Sequence, residues 1–415
     1  MTIATELQHY NDGLLDAYDA VDAKGGTIPA NLNLDNLPTA IGTISGGGGG
    51  DRPADWLKMP TDANVSDNEI YFLLEMAKDR TEDYLAKWGI NASANYDIEF
   101  GTTVNGAFVV DPTYSETNLT PGAYTFYDLA IPMSIFHTTG ETKQVIMRVK
   151  TSGNITSVST YTSGKQSIGK RTIEIKGKAT NLTYFKVGTN NAALSAYALR
   201  YCTLLGTNNV TNFSGTFDYC YSLSEVSLDT SNGTNFQYMF RNCASLTTIP
   251  QLDTSSGTNF DRMFAGCASL TTIPQLDTSD GTNFANMFDG CYSLTKADFS
   301  GYDFSSATNM GAFTGSDTYL DGGGKIYLPN KDKFPAAGIL GTNAFTMNED
   351  NSNPINYIIS DASGMIPLQA NGTSIFGTSA YVYVYVPDAL LATYQADTYW
   401  STLGTRLKGF SDLPS

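Results

Sequence analysis

Thiols, imidazoles and carboxylates are the groups from which this sequence could build chemistry, and their distribution narrows the choice. Cys202, Cys220, Cys243, Cys267 and Cys291 lie in one part of the 415-residue chain, and the two histidines, His9 and His137, are far from them. A zinc site needs a close set of nitrogen and sulfur ligands, and no C-x-x-C pair occurs. Five cysteines, the last four spaced 23 or 24 residues apart, also make a poor disulfide framework. No Gly-x-Ser-x-Gly elbow or phosphate loop is present, and no cysteine lies near a histidine, so the common nucleophilic and phosphate-handling sites are missing. Glycoside cleavage needs only two suitably spaced carboxylates. A pair hidden among the 41 acidic residues is the one enzymatic route left open. The expectation is a protein that is no enzyme and holds no cofactor and no metal, so the chemistry that remains is binding.

Composition restricts what is bound. The chain carries 24 basic and 41 acidic residues, a net charge of −17, which repels phosphate backbones and anionic lipid. No apolar run reaches the roughly 18 residues that would span a bilayer. Nucleic acid and membrane insertion are therefore disfavoured. The opening Met1-Thr-Ile-Ala-Thr-Glu lacks the basic and apolar regions of a signal peptide, so synthesis in a cytoplasm is expected. Only 16% of residues are charged, while 25 Tyr and 21 Phe stand among many Gly, Thr, Ser and Asn. That palette belongs to strands, tight turns and repeats.

The cysteines are spaced by a repeat. Met239-Phe-Arg-Asn-Cys-Ala-Ser-Leu-Thr-Thr-Ile-Pro-Gln-Leu-Asp-Thr-Ser returns from Met263 as Met-Phe-Ala-Gly-Cys-Ala-Ser-Leu-Thr-Thr-Ile-Pro-Gln-Leu-Asp-Thr-Ser, and more loosely from Met287. Phe217, Phe240, Phe264, Phe288 and Phe313 mark steps of 23, 24, 24 and 25 residues. Such a period signals a solenoid, in which each coil buries its apolar face only by stacking on neighbours. Leu223, Leu246, Leu270 and Leu294 are expected inward with Val226, Ile249 and Ile273, on a short strand and its turn. The Met-Phe pairs are expected opposite them on a short helical turn. The cysteines read as small buried hydrophobes. Asn212, Asn235, Asn259, Asn283 and Asn309 can satisfy turn backbone of adjacent coils. Asp229, Asp253, Asp277 and Asp303 stack tolerably if each accepts backbone N–H bonds.

Some columns vary from coil to coil. Gln237-Tyr238, Asp261-Arg262 and Ala285-Asn286 precede the Met-Phe pairs, and Arg241-Asn242, Ala265-Gly266 and Asp289-Gly290 precede the cysteines. Freed from the core, these positions are expected to face solvent. The candidate ligand-binding residues are Gln237, Tyr238, Arg241, Asn242, Asp261, Arg262, Asn286 and Asp289.

Other elements must carry the array. Ile3, Leu7, Tyr10, Leu14, Ala17 and Val21 fall on alternating four- and three-residue steps, the seam of a short coiled coil, which Gly25-Gly26 ends. Residues 1–45 are thus expected to form a helical attachment or oligomerisation segment, tethered by the Gly-rich linker 46–51. Residues 52–170 show apolar or alternating runs, from Glu69, Gly106, Lys143 and Ile155, separated by turn residues; that spacing predicts a β-sandwich-like domain. Trp56 and Trp88 read as core or junction anchors. The solenoid is assigned to 171–385 and a strand-helix cap to 386–415. The fold class expected is mixed and β-rich: an N-terminal helix, a β-sandwich-like domain, then a capped leucine-rich-repeat solenoid.

The Met-Phe-x-x-Cys-x-Ser-Leu-Thr, Leu-Asp-Thr-Ser and Thr-Asn-Phe pattern resembles BspA-type leucine-rich repeats, shared by bacterial surface proteins and phage tail proteins. Leu7-Gln-His-Tyr-Asn-Asp-Gly-Leu-Leu-Asp-Ala-Tyr-Asp-Ala-Val-Asp and Arg52-Pro-Ala-Asp-Trp-Leu-Lys-Met-Pro look like the amino-terminal segment and β-domain opening of tail proteins from phages of Gram-positive hosts. The stretch from Tyr385 to Phe410 resembles the closing cap of such arrays. Asp97-Ile-Glu-Phe-Gly lacks the full aspartate-rich turn common in the β-domain. The resemblance implies a virion protein, associated with a tail fibre or baseplate, that binds a host surface glycan or protein through its array. It implies contact with other tail proteins through the N-terminus, and fibre symmetry favours a trimer joined by Ile3, Leu7, Tyr10, Leu14 and Val21. The alternatives are a bacterial BspA-like surface adhesin and a purely structural tail or head decoration protein.

Overall fold

The computed structural model describes residues 56–121, 126–139, 142–160, 171–189, 198–249, 251–294, 297–311, 325–336, 338, 344–345, 355–368, 372–376 and 381–414. The expected N-terminal helix with its seam, the Gly-rich linker, and the column members Phe313 and Ser316 lie outside the described residues. So does the side chain of Trp88.

The first strands are β1 (Glu69–Ala77), β2 (Tyr84–Ala92), β3 (Tyr96–Val104), β4 (Ala107–Leu119), β5 (Phe126–Ile131), β6 (His137–Thr139), β7 (Thr142–Thr151), β8 (Ile155–Ser159), β9 (Thr172–Lys178) and β10 (Tyr184–Lys186). The array begins with β11 (Tyr201–Leu205) and β12 (Glu225–Leu228), and the C-terminal part holds β13 (Ala297–Asp298), β14 (Lys325–Tyr327), β15 (Ile355–Ile358), β16 (Val382–Val386) and β17 (Leu407–Gly409). Among the described residues the α-helices are α1 (Gly372–Phe376) and α2 (Asp388–Ala396).

One sheet runs β12-β11-β9-β1-β7-β3-β4, with β6 on β7; a second runs β10-β8-β2-β5. Strand β1 reads as an unbroken apolar run because both its faces are covered. Ile70, Phe72 and Leu74 join the core shared with Ile90, Ile155, Val158 and Phe185 of the other sheet. Tyr71 and Leu73, pointing the other way as the two-residue period requires, join a smaller cluster with Trp56, Met59, Val65, Ile146 and Ile173. The segment from Trp56 therefore straps the outer face. Its Leu57 N–H donates to the buried Gln144 Oε1 at 2.9 Å.

The sandwich passes into the solenoid without a break. β9 pairs antiparallel with β1 and parallel with β11, and β11 pairs parallel with β12. The second sheet does the same: after β10, the Val187 and Gly188 N–H groups both donate to the Thr216 carbonyl, at 3.0 and 2.7 Å. The boundary drawn at 170/171 thus falls before a strand that hydrogen-bonds to both parts. Trp56 clamps the same seam, edge-on to Tyr201 at 6.3 Å and under the Arg200 guanidinium at 5.1 Å.

Within the array the Met-Phe segments are not helical. They are successive turns in which the Phe213, Gly215, Phe217 and Tyr219 N–H groups donate to Asn235, Gln237, Met239 and Arg241 of the next coil. The residues between donate three positions back within their own coil, as Thr216 does to Phe213 and Cys220 to Phe217. Each coil is thus satisfied half by itself and half by its neighbour. Opposite this wall, among the described residues of the array, β11, β12 and β13 form strands; in the third coil Pro274 removes a donor there. Parallel bridges join Asn212, Asn235, Asn259, Asn283 and Asn309. Farther on, β13-β14-β15-β16-β17 form an all-parallel sheet closed by α2 and the buried Trp400, whose indole N–H donates to the Ile366 carbonyl at 2.8 Å.

Candidate functional site

The framework columns come first, because they decide which residues are free. Two phenylalanine ladders run along the core. Phe213, Phe236, Phe260 and Phe284 stack at 5.7, 5.7 and 5.3 Å, and Phe217, Phe240, Phe264 and Phe288 at 5.5, 5.8 and 5.4 Å. The cysteines are fully buried beside them. Cys243, Cys267 and Cys291 each donate a thiol bond back to the Phe217, Phe240 and Phe264 carbonyls, at 3.2, 3.2 and 3.3 Å. A small, weakly donating side chain suits that position. Burial pushes the Cys267 thiol up to about 12 and raises Cys202, Cys243 and Cys291 as well. These thiols are structural and unreactive.

The polar columns close turns. The Asn235 and Asn259 side chains accept the N–H two residues on, at 3.1 Å each, so they serve their own coil rather than the next. Asp229, Asp253 and Asp277 likewise hold the N–H and hydroxyl of Ser231, Ser255 and Ser279. Among these polar columns, the coil-to-coil bonds come from threonines. Thr230, Thr254 and Thr278 reach the next aspartate carbonyl at 2.8, 2.8 and 3.0 Å. On the edge, Thr234, Thr258 and Thr282 reach the preceding threonine carbonyl.

The variable columns have a conformational reason to vary. Gly215, Tyr238, Arg262 and Asn286 occupy one left-handed position of successive coils, with φ of 61°, 58°, 52° and 53°. Tyr219, Asn242, Gly266 and Gly290 occupy another, at 61°, 60°, 75° and 73°. Seven of these eight turns, all but that at Gly290, show a cross-coil bond, such as Tyr238 N–H to the Asp261 carbonyl at 3.0 Å. Glycine is the low-energy choice here, and a bulky side chain costs roughly 1–2 kcal/mol.

The expectation that these residues face solvent freely is corrected. Gln237, Tyr238, Arg241, Asn242, Arg262, Asn286 and Asp289 are half-buried and Asp261 is buried. Five of them interlock. Arg241 makes a two-pronged bond to Asp218, at 2.8 and 2.7 Å, between the rings of Tyr219 and Tyr238, at 5.0 and 4.4 Å. Asp261 accepts from Gln237 at 2.8 Å and from Arg262 at 3.0 Å, and Arg262 also reaches the Tyr238 hydroxyl at 3.4 Å. Burial holds the Asp218 carboxyl above its ordinary value against the pull of Arg241, and lowers the nearby Lys186 ammonium. Tyr221, 38% exposed, leans edge-on against Tyr219 at 5.7 Å. Asn242 adjoins the cluster in sequence, while Asn286 and Asp289 belong to the next coil.

Asp218, Tyr219 and Tyr221 are the members not singled out from the sequence. Carrying the columns back one coil would have found the first two, since Asp218 aligns with Arg241 and Tyr219 with Asn242, whereas Tyr221 aligns with Ala244, outside those columns. A second polar feature lies in the sandwich: an open cleft of about 520 Å³ lined by Asp67, Glu69, Asp97 and Lys150 among others. Among the described residues no group of three or more His, Cys, Asp or Glu could hold a metal ion, and no helix is long and apolar enough to cross a membrane.

Residues 202–272, from β11 through the third coil, match a family model described as "Mycoplasma protein of unknown function, DUF285". No curated protein and no solved structure matches the chain. Together with the coils described above, the match makes this a repeat protein with a β-solenoid.

Proposed function

We propose that this protein is a non-catalytic component of a phage virion, associated with the tail fibre or baseplate, that binds the host surface through its repeat array. The observation that carries the binding role is the interlocked Tyr238–Arg241–Asp218 and Arg262–Asp261 cluster. Its side chains stand in columns where other coils also place Gly215, Ala265 and Ala285. The resemblance of residues 7–22 and 52–60 to phage tail proteins supports the setting, with the N-terminal segment as the attachment and trimerisation point. Particles lacking the protein are expected to lose host adsorption, and labelled antibody to decorate the tail. Normal adsorption by such particles would end the receptor-binding reading and leave a purely structural tail or head role.

A bacterial surface adhesin is the alternative, favoured by the match of residues 202–272 to a family described from Mycoplasma. Finding the protein on uninfected cells and absent from particles would establish it.

A further inference from the structure

The ledge formed by Tyr219, Tyr221, Tyr238, Arg241 and Arg262 carries information about what it binds. Arg241 and Arg262 are the only basic residues between positions 211 and 290, against eight acidic ones, and both lie in it. Tyr219, Tyr238 and Arg262 are held at positive φ where Gly215, Gly266 and Gly290 fill the same positions in other coils. Local preference favours glycine at all three, so the side chains are retained against a conformational cost. Their order is already established, with Arg241 enclosed between two rings and fastened to Asp218. A ligand meeting such a surface need not immobilise it.

The dimensions and charge select among ligands. The ledge spans three coils, which is roughly 10 Å between the outer two at strand spacing. A stable protein interface covers about 800 Å² on each partner around an apolar core. Among the described residues between 211 and 311, Tyr221 and Tyr292 are the only exposed large hydrophobic side chains, which leaves no such core. The acidic excess around the two arginines opposes a polyanion. What fits is a small uncharged ligand presenting hydroxyl groups and apolar C–H faces, taken by aromatic rings and a few planar polar groups. Resting on the proposed surface-binding role, we infer that Tyr219, Tyr221, Tyr238, Arg241 and Arg262 bind an uncharged oligosaccharide of a cell-surface polysaccharide.

The test uses the full chain on a printed array of uncharged and anionic bacterial oligosaccharides. One or more uncharged glycans are expected to bind, with at least a tenfold loss in Tyr221→Ala and in Arg262→Gly. Thr258→Val, on the threonine edge of the coil, should bind like the parent. Because glycine suits the Arg262 backbone, relief at that turn should offset the lost bond to Asp261, so Arg262→Gly should lose binding with the thermal midpoint little changed, which separates recognition from folding. No glycan bound, undiminished binding by both ledge variants, or preference for anionic glycans each overturns the inference. If adsorption of particles depends on the protein while no glycan binds, this inference fails alone. If glycan binding holds but the protein is absent from particles, the tail assignment fails alone.

Discussion

The sandwich and the array share one hydrophobic core yet are built on opposite plans. In the sandwich, strands distant in sequence pair antiparallel, as β1 does with β7 and β9. In the array every coil meets only its two neighbours, and the same side chain recurs at each step. A change in the array is thus felt locally and along one ladder, whereas a change in β1 or β9 reaches both parts. The difference teaches where function can reside: the array can vary one face from coil to coil, because its columns of Phe, Cys and Thr hold the rest.

The largest expected effect tests whether the ladders carry the array. Phe240 is fully buried and stacks on Phe217 and Phe264. Phe240→Ala should cost about 3–5 kcal/mol, read by chemical denaturation. Hydrogen exchange should rise first in residues 213–270 and little in β7. Equal loss of protection in β7 would show that sandwich and array unfold as one unit.

The junction is probed next. A side chain at Gly188 would meet the Asp218 backbone N at 2.1 Å, so Gly188→Val must part the second sheet from the first coil. Overpacking of this kind costs about 1–3 kcal/mol, and here the neighbour is backbone. The predicted signature is faster exchange at Val187, Thr189 and Thr216 together. Change confined to β10 would mean that the seam is held by β9 and β11 alone.

These experiments bear on what the sequence made legible. The repeat columns were readable because identical packing demands recur at one period, so Phe, Cys, Leu and Asn each mark a position. The turn chemistry of the variable columns was not, because a left-handed backbone is tolerated by Gly, Asn, Tyr and Arg here and leaves no single residue type. Such positions look unconstrained when read as letters. Strand β9, Thr-Ile-Glu-Ile-Lys-Gly-Lys, alternates plainly, but nothing in it says that one edge meets an antiparallel partner and the other a parallel one. Trp56 was legible as an anchor, while its partners Arg200 and Tyr201 lie too far along the chain to be paired by pattern.

Alkali should weaken the array. The Cys267 thiol stays neutral in the fold up to about 12, whereas an unfolded cysteine ionises near about 8.5. The unfolded chain therefore releases its proton first, and stability is lost as pH rises between those values. Cys202, Cys243 and Cys291 are shifted in the same direction. The thermal midpoint should fall through this window, and less steeply in Cys267→Ser. An unchanged slope would assign the alkaline loss to buried tyrosines such as Tyr394, itself raised to about 12.

The smallest effect has an informative sign. Asp253 lies one coil from Asp229 and Asp277, so two physical pictures of this column compete. If repulsion between like charges dominates, Asp253→Asn should stabilise the protein, most at low salt. If the turn bonds from Ser255 dominate, the variant should lose a charge-assisted acceptor. Hydrogen bonds from Ser255 hold the Asp253 carboxyl below its ordinary value, which means the fold favours the ionised form despite its neighbours. A depressed carboxyl contributes stability that is present above its unfolded value, near about 4, and lost as pH falls through the folded one. Asp253→Asn is therefore expected to destabilise slightly at neutral pH, by less than about 1 kcal/mol for so exposed a group. The difference from the parent should vanish once pH falls below that depressed value, where the parent is protonated as well. A stabilised variant at neutral pH would reverse the picture and make the aspartate column a strained feature of the array, kept for a reason other than its turns.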